Sequence, residues 1–200
     1  MSAPESPLEA RCPSALGAEA SGGWRGSDRI SLVVQQGVCA VLITIAGDGV
    51  AAFASEAVER LGAPLPPARY ASFGGAVAVV AAGRNTFLAV KQGDAACAFS
   101  SRLAGELAGP ATAVDQSDQL VFFALEGASS ARALSALCSV DFDPRAFAEG
   151  TAIVTRLQDV RAYVWREPGP SRYLIGVQRS LASHVWTALL EACRTHSPAP

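Results

Sequence analysis

His184 and His196 are the only histidines of this 200-residue chain, and Lys91 is its only lysine. Acid–base catalysis and zinc ligation both lean on imidazole, and both need acids or thiols beside it. Neither histidine stands in a cluster of acids or thiols in the sequence. His184 falls on a polar helical stripe with Thr187, Glu191 and Arg194, and His196 lies in the tail; each is expected at the surface. Lys91 is the sole candidate for Schiff-base chemistry. It ends a predicted strand beside Gln92 and Gly93, whereas a reactive lysine needs a desolvating pocket. The five cysteines, Cys12, Cys39, Cys97, Cys138 and Cys193, are scattered, odd in number and form no C-x-x-C pair. That argues against a zinc cluster and a disulfide framework. Four of them fall in apolar patterns, where a thiol packs as a small hydrophobe. A reducing cytoplasm fits this usage.

Asp141, Asp143 and Glu149 are the densest acidic group. Paired carboxylates can share acid and base work. Here Asp143 precedes Pro144, which reads as a helix N-cap followed by proline at the first helical position. Asp115 and Ser117 stand just before a buried strand, where turn and capping hydrogen bonds account for them as readily as a pocket does. The glycine clusters, around Gly22 and at Phe73-Gly74-Gly75, do not link a strand to a helix as a phosphate-binding loop must. Arg161, Tyr163 and Trp165 alternate on one predicted strand, and Tyr173, Ile175 and Val177 on a neighbour. Such a face could meet a ligand, but Arg and aromatic side chains are favoured anchors between subunits. The reading therefore assigns no catalytic, cofactor-binding or metal-binding residue.

The elements that must position these groups are legible in the pattern. Half the residues are hydrophobic and 17% charged, enough apolar content for a sizeable core and too little charge for a disordered chain. A net charge of −2 gives no electrostatic footprint for nucleic acid. No apolar run approaches the roughly 20 residues needed to cross a bilayer, and the first residues lack the apolar segment of a secretory signal. Residues 1–28, rich in Pro, Ser, Gly and Ala, are expected to be a mobile arm in which Trp24 docks on a partner or covers a local groove. Residues 196–200 are expected to be a disordered tail.

Between these ends, residues 29–110 and 111–195 show the same order of elements. Ser31–Gln35 and Val38–Ile45 read as a hairpin about Gln36-Gly37. A helix follows with Phe53, Ala57 and Leu61 on its apolar face, Asp48 as N-cap and Gly62 as stop. Strands at Gly75–Ala82 and Thr86–Lys91 precede a helix capped by Asp94, carrying Phe99, Leu103 and Leu107 and ended by Gly109-Pro110. In the second run Thr112–Ser117 and Leu120–Leu125 read as a strand pair, with a helix carrying Ala131, Leu134 and Cys138 after it. Thr151–Leu157, Arg161–Arg166 and Tyr173–Val177 are further strands, and Leu181, Val185, Trp186, Leu189 and Cys193 mark a last helix. Two similar βαββαβ-like halves packed together, in an α+β fold, is the expected architecture.

Five stretches carry a family resemblance, Leu125-Glu126-Gly127-Ala128 among them. Asp115-Gln116-Ser117 resembles a D-V-S motif. Asp143-Pro144-Arg145-Ala146-Phe147, with Gly150 after it, resembles h-P-R-x-F-x-x-G. Arg179-Ser180-Leu181-Ala182 before Trp186 resembles R-S-F-A…W, and Leu61-Gly62-Ala63-Pro64-Leu65-Pro66 resembles LG-x-x-LP. In their order along the chain they are similar to the gamma subunit of heterotetrameric sarcosine oxidase. The usual G-P-D-E-W-L segment of that family reads Gly83-Arg84-Asn85-Thr86-Phe87-Leu88 here. The resemblance implies the folate-binding aminomethyltransferase fold and a cytoplasmic, non-catalytic subunit with alpha, beta and delta partners. The complex would oxidise sarcosine, or a related N-methyl amino acid, to glycine, with hydrogen peroxide and methylene-tetrahydrofolate as products. FAD, FMN, NAD, tetrahydrofolate and zinc would sit on the partners and none on this chain. Trp24, Arg145, Phe147, Tyr163, Trp165 and Arg179 form the candidate interface set. The alternative is a stand-alone folate-binding protein of the same fold.

Overall fold

The structure is a computed structural model that describes residues 23–25, 30–93, 96–107 and 111–196. Eleven strands and four α-helices lie in these residues. They are β1 (Gly23–Arg25), β2 (Ser31–Gln35), β3 (Val38–Ile45), α1 (Val50–Leu61), β4 (Ala71–Gly74), β5 (Val77–Gly83), β6 (Thr86–Gln92) and α2 (Ala96–Glu106). Then come β7 (Ala111–Asp115), β8 (Leu120–Glu126), α3 (Ser130–Ser135), β9 (Ala152–Leu157), β10 (Val160–Arg166), β11 (Arg172–Gln178) and α4 (Ala182–His196). The apolar spacing of α1 buries Phe53, Ala57 and Leu61, and the helix stops at Gly62, whose φ of 87° is open to glycine at little cost.

Two antiparallel sheets form, in the orders β1-β2-β8-β11-β10-β9 and β4-β5-β6-β3-β7. Apart from β1, one order repeats the other element for element: β9-β10-β11-β8-β2 against β4-β5-β6-β3-β7. The match includes an exchange. Strand β2 pairs with β8, and β7 pairs with β3. The two hairpins expected at Gln36-Gly37 and before Leu120 are therefore not formed; each first strand crosses to the other sheet. Gly37, at φ 61°, makes the sharp turn between sheets rather than within one.

Three apolar cores follow from period-2 alternation along the strands. Phe123, Tyr173, Ile175 and Val164 meet α3 and α4 through Leu134, Val185 and Trp186. Ile43, Val79 and Ala89 meet α1 and α2 through Phe53, Leu61, Phe99 and Leu103. Between the sheets, Phe122, Trp165 and Leu174 of one pack on Val80, Leu88 and Val90 of the other. The layers run helix, sheet, sheet, helix. No helix among the described residues is long and apolar enough to cross a membrane.

Several details differ from expectation. The N-cap of α1 is Gly49, without a side-chain capping bond, so Asp48 does not cap it. Strand β4 was not anticipated; its four residues are too short for a periodic signal. Within the expected arm, Gly23–Arg25 pair with β2 and extend its sheet. Asp94, Gly109-Pro110, the rest of residues 1–28 and residues 197–200 lie outside the described residues.

Candidate functional site

The groups with chemical potential are spread over the molecule and held by local structure. Lys91 lies at the half-buried end of β6, its Nζ 5.5 Å from the centre of the Phe99 ring. Asp141 accepts the Asp143 N–H at 2.9 Å and Asp143 accepts the Arg145 N–H at 2.9 Å. These carboxylates close one tight turn, and Glu149 is occupied elsewhere, accepting the Gly169 N–H at 3.2 Å. His184, Glu191 and His196 line a shallow groove of about 410 Å³ between α4, the end of α3 and the β9–β10 turn. Among the described residues, no three His, Cys, Asp or Glu side chains come together as a metal site would require.

Two of the landmarks, by contrast, do converge. At the crossover from β7 to β8, Ser117 Oγ donates to Asp115 Oδ1 at 2.6 Å and accepts the Ala40 N–H at 3.1 Å. It also lies 3.2 Å from Cys39 Sγ. Burial raises the Asp115 carboxyl, but the Ser117 hydroxyl and N–H, with help from Ser100, outweigh it and hold the group below the usual carboxylate range. A carboxylate so stabilised is a poor base, and no imidazole stands by to activate the serine. Arg179 reaches the same turn. Its Nε donates to Asp118 O at 2.6 Å and its backbone N–H to Gln119 O at 2.8 Å. The D-x-S and R-S-L-A landmarks are thus two sides of one joint, locking the exchanged strand to the start of α4.

The Asp143–Gly150 landmark is a second joint. Arg166, buried at the end of β10, donates from Nη1 to Phe147 O at 3.1 Å and Pro144 O at 3.4 Å. The Tyr173 hydroxyl donates to Phe142 O at 2.7 Å. Burial pushes the Tyr173 phenol up; Arg166 pulls it down and Asp143 and Asp141 add to the rise. The Phe142 and Phe147 rings pack in this corner with centroids 4.9 Å apart and planes tilted by 53°.

The candidate interface residues fall into two groups. Phe147 and Trp165 are 3% and 0% exposed, built into this chain's own core rather than presented to a partner. Arg145 is exposed, and Tyr163 and Arg179 are half-buried. The Trp24 side chain lies outside the described residues; its backbone pairs with Leu32. Nor is there one aromatic wall. Trp165 and Tyr163 face the opposite sheet, while Tyr173, Ile175 and Val177 face the helices.

Sequence reasoning missed one ionic cluster. Arg172, at the start of β11, pairs with Glu126 and Glu167, each at 2.8 Å, and donates to Gln35 Oε1 at 3.2 Å. Burial raises the Glu167 carboxyl, Arg172 lowers it and Glu126 raises it again; the balance is upward. These partners are up to 137 positions apart in the chain, so no local motif announces them.

No protein-family model matches the sequence, and no curated relative matches it. Solved structures do share the fold. A chain of the heterotetrameric sarcosine oxidase from Corynebacterium sp. U-96, in complex with pyrrole 2-carboxylate, superposes with a TM-score of 0.74 at 24% identity, over 88% of this chain and 89% of that one. The glycine cleavage system aminomethyltransferase T from Bartonella henselae superposes with a TM-score of 0.58 at 16% identity, over 80% of this chain and 45% of that one. The α+β architecture with two antiparallel sheets is therefore a folate-binding-like fold.

Proposed function

We propose that this chain is the non-catalytic gamma subunit of a heterotetrameric sarcosine oxidase-type flavoenzyme. The observation that carries the reading is mutual coverage. The chain is similar to the oxidase chain over nearly the full length of both, but to less than half of the aminomethyltransferase. It has the dimensions of a small subunit, with its elements running ββαβββα twice rather than in the expected βαββαβ order. The distribution of polar groups supports the same reading, because the landmark residues Asp115, Ser117 and Arg179 serve a joint of the fold. In this reading alpha, beta and delta subunits are the partners, and FAD, FMN, NAD, tetrahydrofolate and zinc belong to them. The complex works in the cytoplasm, oxidising sarcosine or a related N-methyl amino acid to glycine, with hydrogen peroxide and methylene-tetrahydrofolate as products.

Coexpression of the tagged full chain with the alpha, beta and delta chains tests this. The expected result is stoichiometric copurification with sarcosine-dependent peroxide release. A chain that stays monomeric, while the other three assemble and turn over without it, overturns the reading. The likeness to an aminomethyltransferase favours a second reading, a stand-alone folate-binding protein. Titration of the isolated chain with tetrahydrofolate separates the two, since a subunit that leaves folate to its partners binds none.

A further inference from the structure

We infer that the tip of the β9–β10 hairpin is a docking point for an acidic segment of a partner protein, held by Arg156 and Arg161. These residues stand directly opposite each other on adjacent antiparallel strands. Both side chains are exposed. Like charges in that relation repel. Among the described residues no ion pair reaches either guanidinium to relieve the repulsion. The nearest acid in sequence, Asp159 in the turn itself, pairs with neither.

The fold does not call for the pair. In the matching β4–β5 hairpin, the residues one step from the turn are Phe73 and Ala78. The same place is thus filled without charge in one sheet and with two like charges in the other. Arg161 is also organised. Its guanidinium lies 5.4 Å from the centre of the half-buried Tyr163 ring, which limits its freedom and leaves its N–H edge for a partner. Planar guanidinium forks match carboxylates in bidentate geometry. Two forks one strand apart, roughly 5 Å, suit two acidic side chains on one segment. Nucleic acid fits less well, since it needs a broad basic surface and this chain carries a net charge of −2. Arg with an adjoining aromatic is also the composition favoured at interface hot spots.

The identity of the partner as an oxidase subunit rests on the reading above; the arginine site does not. Two measurements on the full chain keep them apart. The first is titration with a hexaglutamate peptide at low and high salt. Wild type is expected to bind and to weaken as salt rises, and the R156E/R161E variant to bind at least tenfold more weakly. R156Q/R161Q serves if the reversal fails to fold, and R132E/R194E on the helical layer is the control. Wild type and R156E/R161E binding alike, or inorganic phosphate binding as well as the peptide, overturns the site. The second is copurification of the same variants with the alpha, beta and delta chains. Loss of assembly in R156E/R161E but not in R132E/R194E supports docking there. Normal assembly of R156E/R161E overturns the docking role and leaves the subunit reading intact. Peptide binding by a wild-type chain that assembles with no subunit retires the subunit reading and keeps the arginine site.

Discussion

Replacing Gly176 by alanine tests how tightly the inter-sheet core is set. Gly176 lies in β11 directly opposite Phe122 of β8. A Cβ built there would sit 2.6 Å from Phe122 Cε1 and 3.1 Å from Cδ1. Carbon atoms pack at roughly 3.5–4.0 Å, so the ring must retreat by about 1 Å. It has little room: Phe122 is 2% exposed and meets Trp165 edge-on at a centroid distance of 6.1 Å. The Gly176 φ is not positive, so alanine is not barred by the backbone and the contact decides the sign. Overpacking of this kind costs about 1–3 kcal/mol, and the lower entropy of the unfolded alanine chain returns about 0.4–1 kcal/mol. The expected net loss is about 1–2 kcal/mol. Equilibrium urea unfolding followed by tryptophan fluorescence reads it. A companion Phe122→Leu should cost about 1–2 kcal/mol alone. Combined with Gly176→Ala it should cost less than the sum by at least about 1 kcal/mol, because the smaller side chain vacates the contested space. A Gly176→Ala protein within about 0.5 kcal/mol of wild type, or two strictly additive losses, would refute the reasoning.

Three other perturbations have clear signs. Gly74→Ala should be the harsher glycine substitution, costing more than about 3 kcal/mol or preventing folding, since its Cβ would fall 1.8 Å from the backbone oxygen of Gly62; soluble yield and urea midpoint measure it. Tyr173→Phe should cost about 1–3 kcal/mol in urea unfolding, because it strands the Phe142 carbonyl that the phenol now satisfies at 2.7 Å. Asp115→Asn should destabilise at neutral pH. The Asp115 carboxyl titrates below its ordinary value in the folded chain, so its contribution is present above the unfolded pKa and is lost as pH falls through the folded one. The gap between wild type and D115N in thermal midpoint should therefore close on acidification; a gap that widens would contradict the sign.

Which segments become strands and helices was largely readable from period and punctuation; which strand pairs with which was not. The alternation in Ser31–Gln35 says only that one face is buried, and a partner strand 90 residues on satisfies it as well as the neighbour does. Sequence proximity favours the nearest strand as the partner, and the exchange of β2 and β7 is what that rule cannot see. The landmark residues are legible in the sequence, but their roles need coordinates, because Arg179 acts on a carbonyl 61 positions away. For Trp165 and Phe147, residue type signals burial without saying whether this chain or another provides the cover.

The exchanged strands also set a timetable. As the chain leaves the ribosome, β2 (Ser31–Gln35) emerges well before its partner β8 (Leu120–Glu126), and earlier still than β8's other neighbour β11 (Arg172–Gln178). At roughly 5–20 residues per second, β2 waits several seconds with an apolar face and an open edge. The first sheet to be completed is β4-β5-β6-β3-β7, and it closes only when β7, from the following unit, has arrived. A ribosome stalled after α2 would hold an incomplete pair of edges that a chaperone must shield. The mature protein should then unfold in one cooperative step, since neither sheet keeps its edge without the other half of the chain.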